Sequence, residues 1–294
     1  MPPPALSVTG LTKQFGHQAA VRDLCFDIPV GETCGLLGPN GSGKTTTLGL
    51  LAGTIRATSG EVVRHVPDGG RAIGAAIGPP GFYPYLTGFE NLSIAARLLD
   101  GCDRGEIERV LVAVDLWDRR GSRASTYSLG MKQRLALAAA MLGDPKVLLL
   151  DEPANGLDPR GVVRVRDLVR QFAGQGKTIL LSSHMLGEVE KVCGRVLLLK
   201  EGQIVADESM TALRSSRVVL TSSNRKLPSV AAVFPGTLDL LERTGDSVTV
   251  TLGEDVSLED LTRHLCAHGV FLSRLARAED DLEVLFMRLT RSDQ

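Results

Sequence analysis

The order of apolar and polar residues divides the chain into regions with different predicted structures. Near the N-terminus, short segments with apolar residues, separated by turn signals at Gly16 and Val30-Gly31, predict strands at Leu6–Thr9, Gln18–Phe26 and Glu32–Leu37. From Gly88 to about Arg120, apolar residues recur at helical spacing and predict helices. The first part of the chain is therefore predicted to contribute mainly strands, with one helix at Thr45–Leu51, and the part from Gly88 to contribute helices.

Continuous apolar runs alternate with helical segments further along. The runs are Val147–Leu150, Thr178–Ser182 and Arg195–Lys200, and the helices between them are Arg160–Ala173 and Leu186–Val192. Strands that are apolar on both faces are typical of a parallel sheet covered by helices on each side. This region therefore predicts an α/β fold with a mostly parallel core sheet.

The pattern changes again beyond Ser209. Two half-exposed strands are predicted at Arg217–Ser222 and Ser247–Leu252, and two amphipathic helices at Ser257–His268 and Asp280–Leu289. We expect a large domain at residues 1–210 and a small C-terminal α+β domain at 217–294, with a linker within 207–216. His264 and His268 share a helical face, but no third ligand accompanies them, so a solvated face is favoured over a metal site.

Composition excludes several classes of protein. The formal net charge of −1 and the lack of a basic tract predict no nucleic-acid partner. The five cysteines are scattered singly, which favours a reducing compartment over a disulfide framework. There is no signal-like start and no run of about 18 apolar residues, so we expect that the chain does not cross a membrane by itself.

The segment GPNGSGKTT fits the phosphate-binding pattern of Gly, four residues, then Gly-Lys-Ser/Thr. It follows a predicted strand and opens a predicted helix, which is the context that the pattern requires. The candidate phosphate-binding residues are Gly38, Pro39, Asn40, Gly41, Ser42, Gly43, Lys44, Thr45 and Thr46. Backbone N–H groups of such a loop bind phosphates, Lys44 reaches the β- and γ-phosphates, and the Thr45 hydroxyl can bind Mg²⁺. The sequence therefore predicts a nucleoside triphosphate site.

A second chemical centre is predicted where two buried strands end. Asp151 directly follows Val147–Leu150 and is a candidate Mg²⁺ ligand. Glu152, the next residue, is the candidate general base for water attacking the γ-phosphate. His184 follows the next strand and is a candidate contact to that phosphate, although an isolated histidine is usually structural.

Five motifs in this order resemble the ATP-binding cassette (ABC) ATPases of membrane transporters. They are GPNGSGKTT, YSLGMKQ, LLLDEP, NGLD and His184, within about residues 6–207. The resemblance implies ATP and Mg²⁺ as cofactors and a P-loop NTPase fold. That fold has an N-terminal antiparallel β subdomain, a RecA-like core sheet and a helical subdomain at about 86–140.

The resemblance also implies roles for residues outside the phosphate loop. Phe15 corresponds to the aromatic residue that stacks on adenine. Ser128 and Gly130 lie in the segment that closes on the ATP held by a second subunit. Asp158 ends the loop from Asn155 that crosses between the subunits. A second ABC ATP-binding subunit is therefore expected, in a heterodimer or, as favoured here, a homodimer.

One position departs from the family pattern. Gly78 stands where the family carries Gln, or Glu in drug, bacitracin and lantibiotic exporters, so hydrolysis is expected to be slower or to use another group. The following Pro80-Gly81-Phe82-Tyr83 and LTGFENL still resemble those exporters. The loop 81–89 is either a surface connection or, as favoured here, a docking face for a membrane subunit.

The favoured interpretation is the ATP-hydrolysing subunit of an exporter. It would be peripheral on the cytoplasmic face of the membrane and would drive a separately encoded permease; the resemblance implies an antibiotic or peptide cargo. One alternative, based on Gly78, is a regulatory subunit that binds ATP with little turnover. Another is a soluble ABC ATPase acting on nucleic acid or the ribosome, which the single cassette and the absence of heptads disfavour.

Overall fold

A computed structural model describes residues 3–65, 71–99, 101–211, 217–222, 238–244, 247–252 and 258–277. The chain divides into two compact units, Met1–Asp207 and Glu208–Gln294, which are described separately. Within the described part of the chain, no helix is long and apolar enough to span a bilayer.

The first unit begins with a three-stranded antiparallel sheet. Its strands are β1 (Pro4–Phe15), β2 (Gln18–Pro29) and β4 (Ser59–Arg64), in the order β2-β1-β4. Both β1 and β2 are longer than predicted. The pairing continues through register shifts near Gly10 and Asp23, two residues with positive φ.

A six-stranded sheet forms the centre of the first unit. Its order is β5-β6-β7-β3-β8-β9, and the strands are β3 (Thr33–Leu37), β5 (Ile73–Ala76), β6 (Val147–Leu150), β7 (Thr178–Ser183), β8 (Arg195–Lys200) and β9 (Gln203–Ser209). The pairs β5/β6, β6/β7, β7/β3 and β3/β8 are parallel, which confirms the predicted α/β core. The sheet brings the carboxyl ends of β3, β6 and β7 together. Strand β9 was not predicted, and its residues are only partly buried.

Six helices accompany this sheet in the described residues of the first unit. They are α1 (Lys44–Ala52), α2 (Gly88–Ala96), α3 (Arg104–Ala113), α4 (Leu129–Met141), α5 (Pro159–Gly174) and α6 (Leu186–Val192). The predicted helical continuation to Arg120 is wrong, because α3 ends at Ala113 and only a short 3₁₀ turn follows at Trp117–Arg119. Asp115 has a φ of 56°, and Arg134 donates hydrogen bonds to the Val114 and Asp115 carbonyls. A contact from another helix therefore ends α3.

The second unit contains a four-stranded antiparallel sheet and one described helix. Its elements are β10 (Arg217–Ser222), β11 (Leu238–Thr244), β12 (Ser247–Leu252), α7 (Leu258–Ala267) and β13 (Leu272–Arg277), with sheet order β11-β12-β10-β13. Strands β10 and β12 confirm the predicted bounds, whereas β11 and β13 were not predicted. Ser257 at the start of the first predicted helix, the linker residues 212–216 and the predicted helix Asp280–Leu289 lie outside the described residues.

His264 lies on α7 and His268 directly follows that helix, and their rings stack on each other with the centroids 4.5 Å apart. Within the described ranges, no group of three or more His, Cys, Asp or Glu residues is placed to hold a metal ion.

Candidate functional site

The loop between β3 and α1 is shaped by steric limits on its glycines. A Cβ on Gly38 would lie 2.2 Å from the Leu199 carbonyl oxygen, and a Cβ on Gly43 would lie 2.4 Å from the Ala20 carbonyl oxygen. Gly43 also has a φ of 106°, in the left-handed region that favours glycine. Only glycine fits at these two positions, so the tight turn before α1 is determined locally.

Lys44, the first residue of α1, is buried at the mouth of this loop. Its Nζ donates hydrogen bonds to the carbonyls of Gly38 (2.7 Å) and Pro39 (3.1 Å), and lies 3.9 Å from Glu152 Oε1. Burial lowers the pKa of Lys44, and the nearby carboxylates of Glu152 and Asp151 partly offset this effect. The loop therefore holds a poorly solvated cation, which is the chemistry that a phosphate group requires.

Asp151 receives three hydrogen bonds at the carboxyl end of β6. Thr45 Oγ1 donates to Asp151 Oδ2 (2.8 Å), Ser182 Oγ donates to Oδ1 (2.6 Å), and the Gly78 backbone N–H donates to Oδ2 (3.3 Å). The pairing of Thr45 with Asp151 across 106 residues brings two predicted Mg²⁺ ligands together. A hydroxyl and a carboxylate are hard oxygen donors of the kind that Mg²⁺ prefers, so these residues fit the ion.

Gly78 contributes through its backbone. Its φ is 70°, and no atom lies within 4 Å of the position that a Cβ would take. The Gln or Glu side chain expected from the resemblance is therefore absent. The position offers open space instead, and its backbone N–H is bonded to Asp151.

Glu152 points away from Asp151 because its backbone is left-handed, with a φ of 46°. Its N–H donates to Ser182 Oγ (2.9 Å), and its Oε2 lies 2.7 Å from His184 Nδ1. The parallel pairing of β6 with β7 explains this contact, because the two residues follow neighbouring strand ends. Sequence analysis missed Ser182, which bonds to both acidic residues; the only signal was its place at the end of the apolar segment TILLSS.

Phe15, at the end of β1, takes no part in this network. Its side chain is 53% exposed, and Lys13 Nζ lies 4.9 Å from the centre of its ring. An exposed aromatic face of this kind can stack on a flat ring.

The remaining predicted residues form a separate group. Ser128 caps α4 by accepting from the Met131 N–H (3.2 Å), and Asp158 caps α5 by accepting from the Gly161 N–H (2.8 Å). Ser128, Gly130 and Asp158 line one cavity of about 390 Å³, and no residue of the phosphate loop lines it. The structure therefore places the predicted residues in two distinct groups.

Comparison with known proteins decides the family. Residues 21–155 match the family described as ABC transporter. The uncharacterized ABC transporter ATP-binding protein YdbJ of Bacillus subtilis (strain 168) is 40% identical, covering 100% of this chain and 98% of that protein. The bacitracin transport ATP-binding protein BcrA of Enterococcus faecalis is 32% identical, covering 97% and 96%. The chain belongs to the ABC transporter family.

A solved structure agrees with this assignment. A structure of the ATP binding subunit of an ABC transporter has a TM-score of 0.63 and 29% identity, covering 72% of this chain and 92% of that chain. This ABC protein is an ATP-binding subunit and an ATPase.

In this ABC protein, the segment before α4 is bonded to the loop that precedes α2. The N–H groups of Ala124 and Ser125 donate to the carbonyls of Leu86 and Pro84, with distances of 2.8 and 2.9 Å. Tyr127 is buried, its hydroxyl donates to the Arg119 carbonyl (2.7 Å), and a Cβ on Gly88 would lie 2.2 Å from that hydroxyl. Ser128 therefore follows a residue that packs against the start of α2.

Asn91 fixes the shape of the loop before α2. Its Nδ2 lies 3.1, 3.4 and 2.9 Å from the carbonyls of Tyr83, Leu86 and Thr87, and its Oδ1 accepts from the Tyr83 N–H (2.8 Å). The Tyr83 and Tyr85 side chains are 49% and 65% exposed, and their rings lie 5.9 Å apart. An ordered loop thus presents two aromatic rings at the surface.

Proposed function

We propose that two copies of this chain close around two ATP molecules and thereby drive a separately encoded permease that exports an antibiotic, peptide or other amphiphile. The observation that carries this proposal is the separation of the predicted residues into two groups. One group has a cationic loop with Asp151 and Glu152, and the other has Ser128 and Asp158 in a separate cavity. Face-to-face pairing of two copies would bring each loop onto the other copy's cavity, so both groups would serve one nucleotide.

Each residue of the first group has a role that follows from its contacts. The loop and Lys44 bind the phosphates, while Thr45 and Asp151 would hold Mg²⁺, which when bound neutralises phosphate charge. Glu152 accepts a proton from the attacking water. His184, whose Nδ1 lies 2.7 Å from Glu152 Oε2, orients that carboxylate and contacts the γ-phosphate through its other ring nitrogen. Phe15 lies outside this group and would stack on the base, as the family resemblance implies.

A second candidate function, an ABC subunit that binds ATP with little turnover, is favoured only by Gly78. The Gly78 N–H supports Asp151, which offsets part of the lost side chain. Glu152 and His184 remain in contact, so a base for hydrolysis is present. Turnover that is slow but measurable is the expected behaviour.

The export role has two supports. The BcrA relative covers nearly the whole chain and is a bacitracin transport protein. The aromatic loop around Tyr83 and Tyr85 offers the exposed aromatic surface that is typical of protein interfaces, and we assign it to docking on a permease helix. The chain would then be peripheral on the cytoplasmic face of the membrane, without a nucleic-acid partner.

The decisive experiment measures ATP hydrolysis and ATP-dependent dimerisation by light scattering. Wild type is compared with Glu152→Gln and Lys44→Ala. We expect slow hydrolysis by wild type, an ATP-trapped dimer for Glu152→Gln, and weak ATP binding for Lys44→Ala. A wild-type protein that accumulates the dimer without turnover, even with a candidate permease present, would support the regulatory function. Stimulation of hydrolysis by nucleic acid would contradict the exporter assignment.

A further inference from the structure

The cavity at the starts of α4 and α5 is lined by three arginines, Arg134, Arg160 and Arg164. Two of them are already paired. Arg134 donates to Asp115 and to neighbouring carbonyls, and Arg164 forms a hydrogen bond and ion pair with the same Asp115 carboxylate. The single negative charge of Asp115 is thus shared by two guanidinium groups, and both arginines already have a partner within the chain.

Arg160 has no such partner. Within the described residues, its guanidinium forms no ion pair or side-chain hydrogen bond, and the side chain is exposed at the cavity wall. It lies in the first turn of α5, where the helix dipole disfavours a positive charge, and no acidic residue occupies that turn. It also stands four residues before Arg164, and like charges at that spacing destabilise a helix. Both local effects oppose a cation here, so an anion that enters the cavity would relieve them.

We propose that Arg160 of one copy binds the triphosphate held by the phosphate loop of the other copy. This inference rests on the proposed function, because the cavity is lined by no residue of the chain's own phosphate loop. Ser128 and Gly130 line the same cavity. The other charged groups of its wall are already engaged, because Arg134 and Arg164 pair with Asp115, and Asp158 caps α5. Arg160 is therefore the cation of this wall that is left to meet a phosphate. A guanidinium can donate two parallel hydrogen bonds to phosphate oxygens and stabilise their charge during hydrolysis.

The first test measures the ATP concentration that gives half-maximal dimerisation in a Glu152→Gln background. Adding Arg160→Gln is expected to raise it about 10-fold or more, the effect of losing a charged hydrogen bond. Arg170→Gln is the matched control: Arg170 is exposed on the same helix, does not line the cavity, and bonds to the Lys191 carbonyl and Asp167. Equal behaviour of the two arginine variants would overturn the proposal. Failure of Glu152→Gln itself to dimerise would instead contradict the proposed function.

The second test asks whether Arg160 acts across the dimer. Lys44→Ala is mixed with Arg160→Gln, and separately with wild type, and hydrolysis is measured. In the first mixture, the one competent phosphate loop faces the intact Arg160 of the Lys44→Ala copy. We therefore expect the mixed dimers to hydrolyse ATP as fast as those formed with wild type. A rate that stays at the level of Arg160→Gln alone would overturn action between copies. If neither mixed dimer hydrolyses ATP, the ATP concentration for half-maximal dimerisation is compared between the two mixtures. Equal values support action between copies, and a higher value for the mixture with Arg160→Gln would overturn it.

A third measurement separates a bound nucleotide from free phosphate. Inorganic phosphate is titrated into Lys44→Ala by calorimetry. No binding is expected, because the phosphate must be presented by the second copy's loop. Binding that Arg160→Gln removes would show that the cavity takes free phosphate, and the proposal would be overturned.

Discussion

His184 Nδ1 lies 2.7 Å from Glu152 Oε2, and the same carboxylate group places its other oxygen 3.9 Å from Lys44 Nζ. The Glu152 carboxylate thus lies between His184 and Lys44, with one of them near each of its oxygens. A carboxylate positioned in this way can accept a proton from water only along a restricted direction. The orientation of the proposed base therefore depends on His184.

Replacing His184 by alanine is expected to lower kcat by about 100-fold, the lower range for a positioned proton-transfer group. The KM for ATP should change little, because Lys44 and the loop still bind the phosphates. Steady-state phosphate release checks both values. His65→Ala is the control, since His65 is exposed and bonds to Ser7. A large rise in KM with unchanged kcat would contradict the proposed role.

The variant Lys44→Met tests how much the buried positive charge lowers the free energy of unfolding. Burial lowers the folded-state pKa of Lys44 below the unfolded value of about 10.4. The folded protein therefore holds this proton less tightly, and the charge reduces stability at every pH below the folded pKa. That cost disappears as pH rises from the folded pKa towards the unfolded one.

We therefore expect nucleotide-free Lys44→Met to have a Tm at least equal to that of wild type at pH 7.5. The advantage should shrink by about pH 10, because wild-type Lys44 then loses its charge. ATP should raise the Tm of wild type but not of the variant. Lys146→Met, at an exposed site, controls for the loss of a positive charge. An advantage that grows with pH would contradict the sign of the shift.

Gly78→Ala tests the left-handed backbone beside Asp151. The new methyl meets no atom within 4 Å, so any loss of stability comes from the φ of 70°. We expect a loss of about 1 kcal/mol in unfolding free energy, with a smaller loss for Gly78→Asn, because Asn tolerates this conformation. Gly121→Ala is the control, since Gly121 is equally open but does not have a positive φ.

The variant Gly78→Ala should also affect catalysis. A shifted N–H at residue 78 weakens the hydrogen bond to Asp151 Oδ2. We expect the Mg²⁺ concentration for half-maximal hydrolysis to rise for Gly78→Ala and to stay constant for Gly121→Ala. An unchanged Mg²⁺ requirement would show that Thr45 and Ser182 hold Asp151 without Gly78.

Gly88 and Tyr127 should be coupled energetically. A Cβ at Gly88 would lie 2.2 Å from the Tyr127 hydroxyl and 3.1 Å from Cζ. Gly88→Ala is expected to cost about 1–3 kcal/mol, as overpacking does. In a Tyr127→Phe background the cost should be smaller, because the hydroxyl that causes the closest contact is gone. Thermal unfolding of the four proteins in the cycle checks this, and additive effects would contradict it.

Much of the first unit could be predicted because its signals are local. The bounds of β6, α6 and β8 are those read from the sequence, since an apolar run or a helical period and its flanking turns determine each. Thr45 and Asp151 were predicted as Mg²⁺ ligands from two local motifs, the phosphate loop and the acidic end of a buried strand; the hydrogen bond between them is seen only in the structure.

What could not be predicted depends on contacts between distant residues. The end of α3 is set by Arg134 of α4, and Ser182, which bonds to both Asp151 and Glu152, reaches them from a neighbouring strand. Arg160 carried no signal as one arginine in an amphipathic helix. Its lack of a partner emerges only when α3, α4 and α5 are placed around the cavity.

Asn91 has a consequence for the thermodynamics of docking. Because its side chain bonds to both backbone groups of Tyr83 and reaches two further carbonyls, the loop is ordered before any second protein arrives. A partner that binds Tyr83 and Tyr85 would not have to immobilise a disordered segment. Association would retain more of the favourable free energy of aromatic burial, and its entropy change would reflect released water rather than a folding loop.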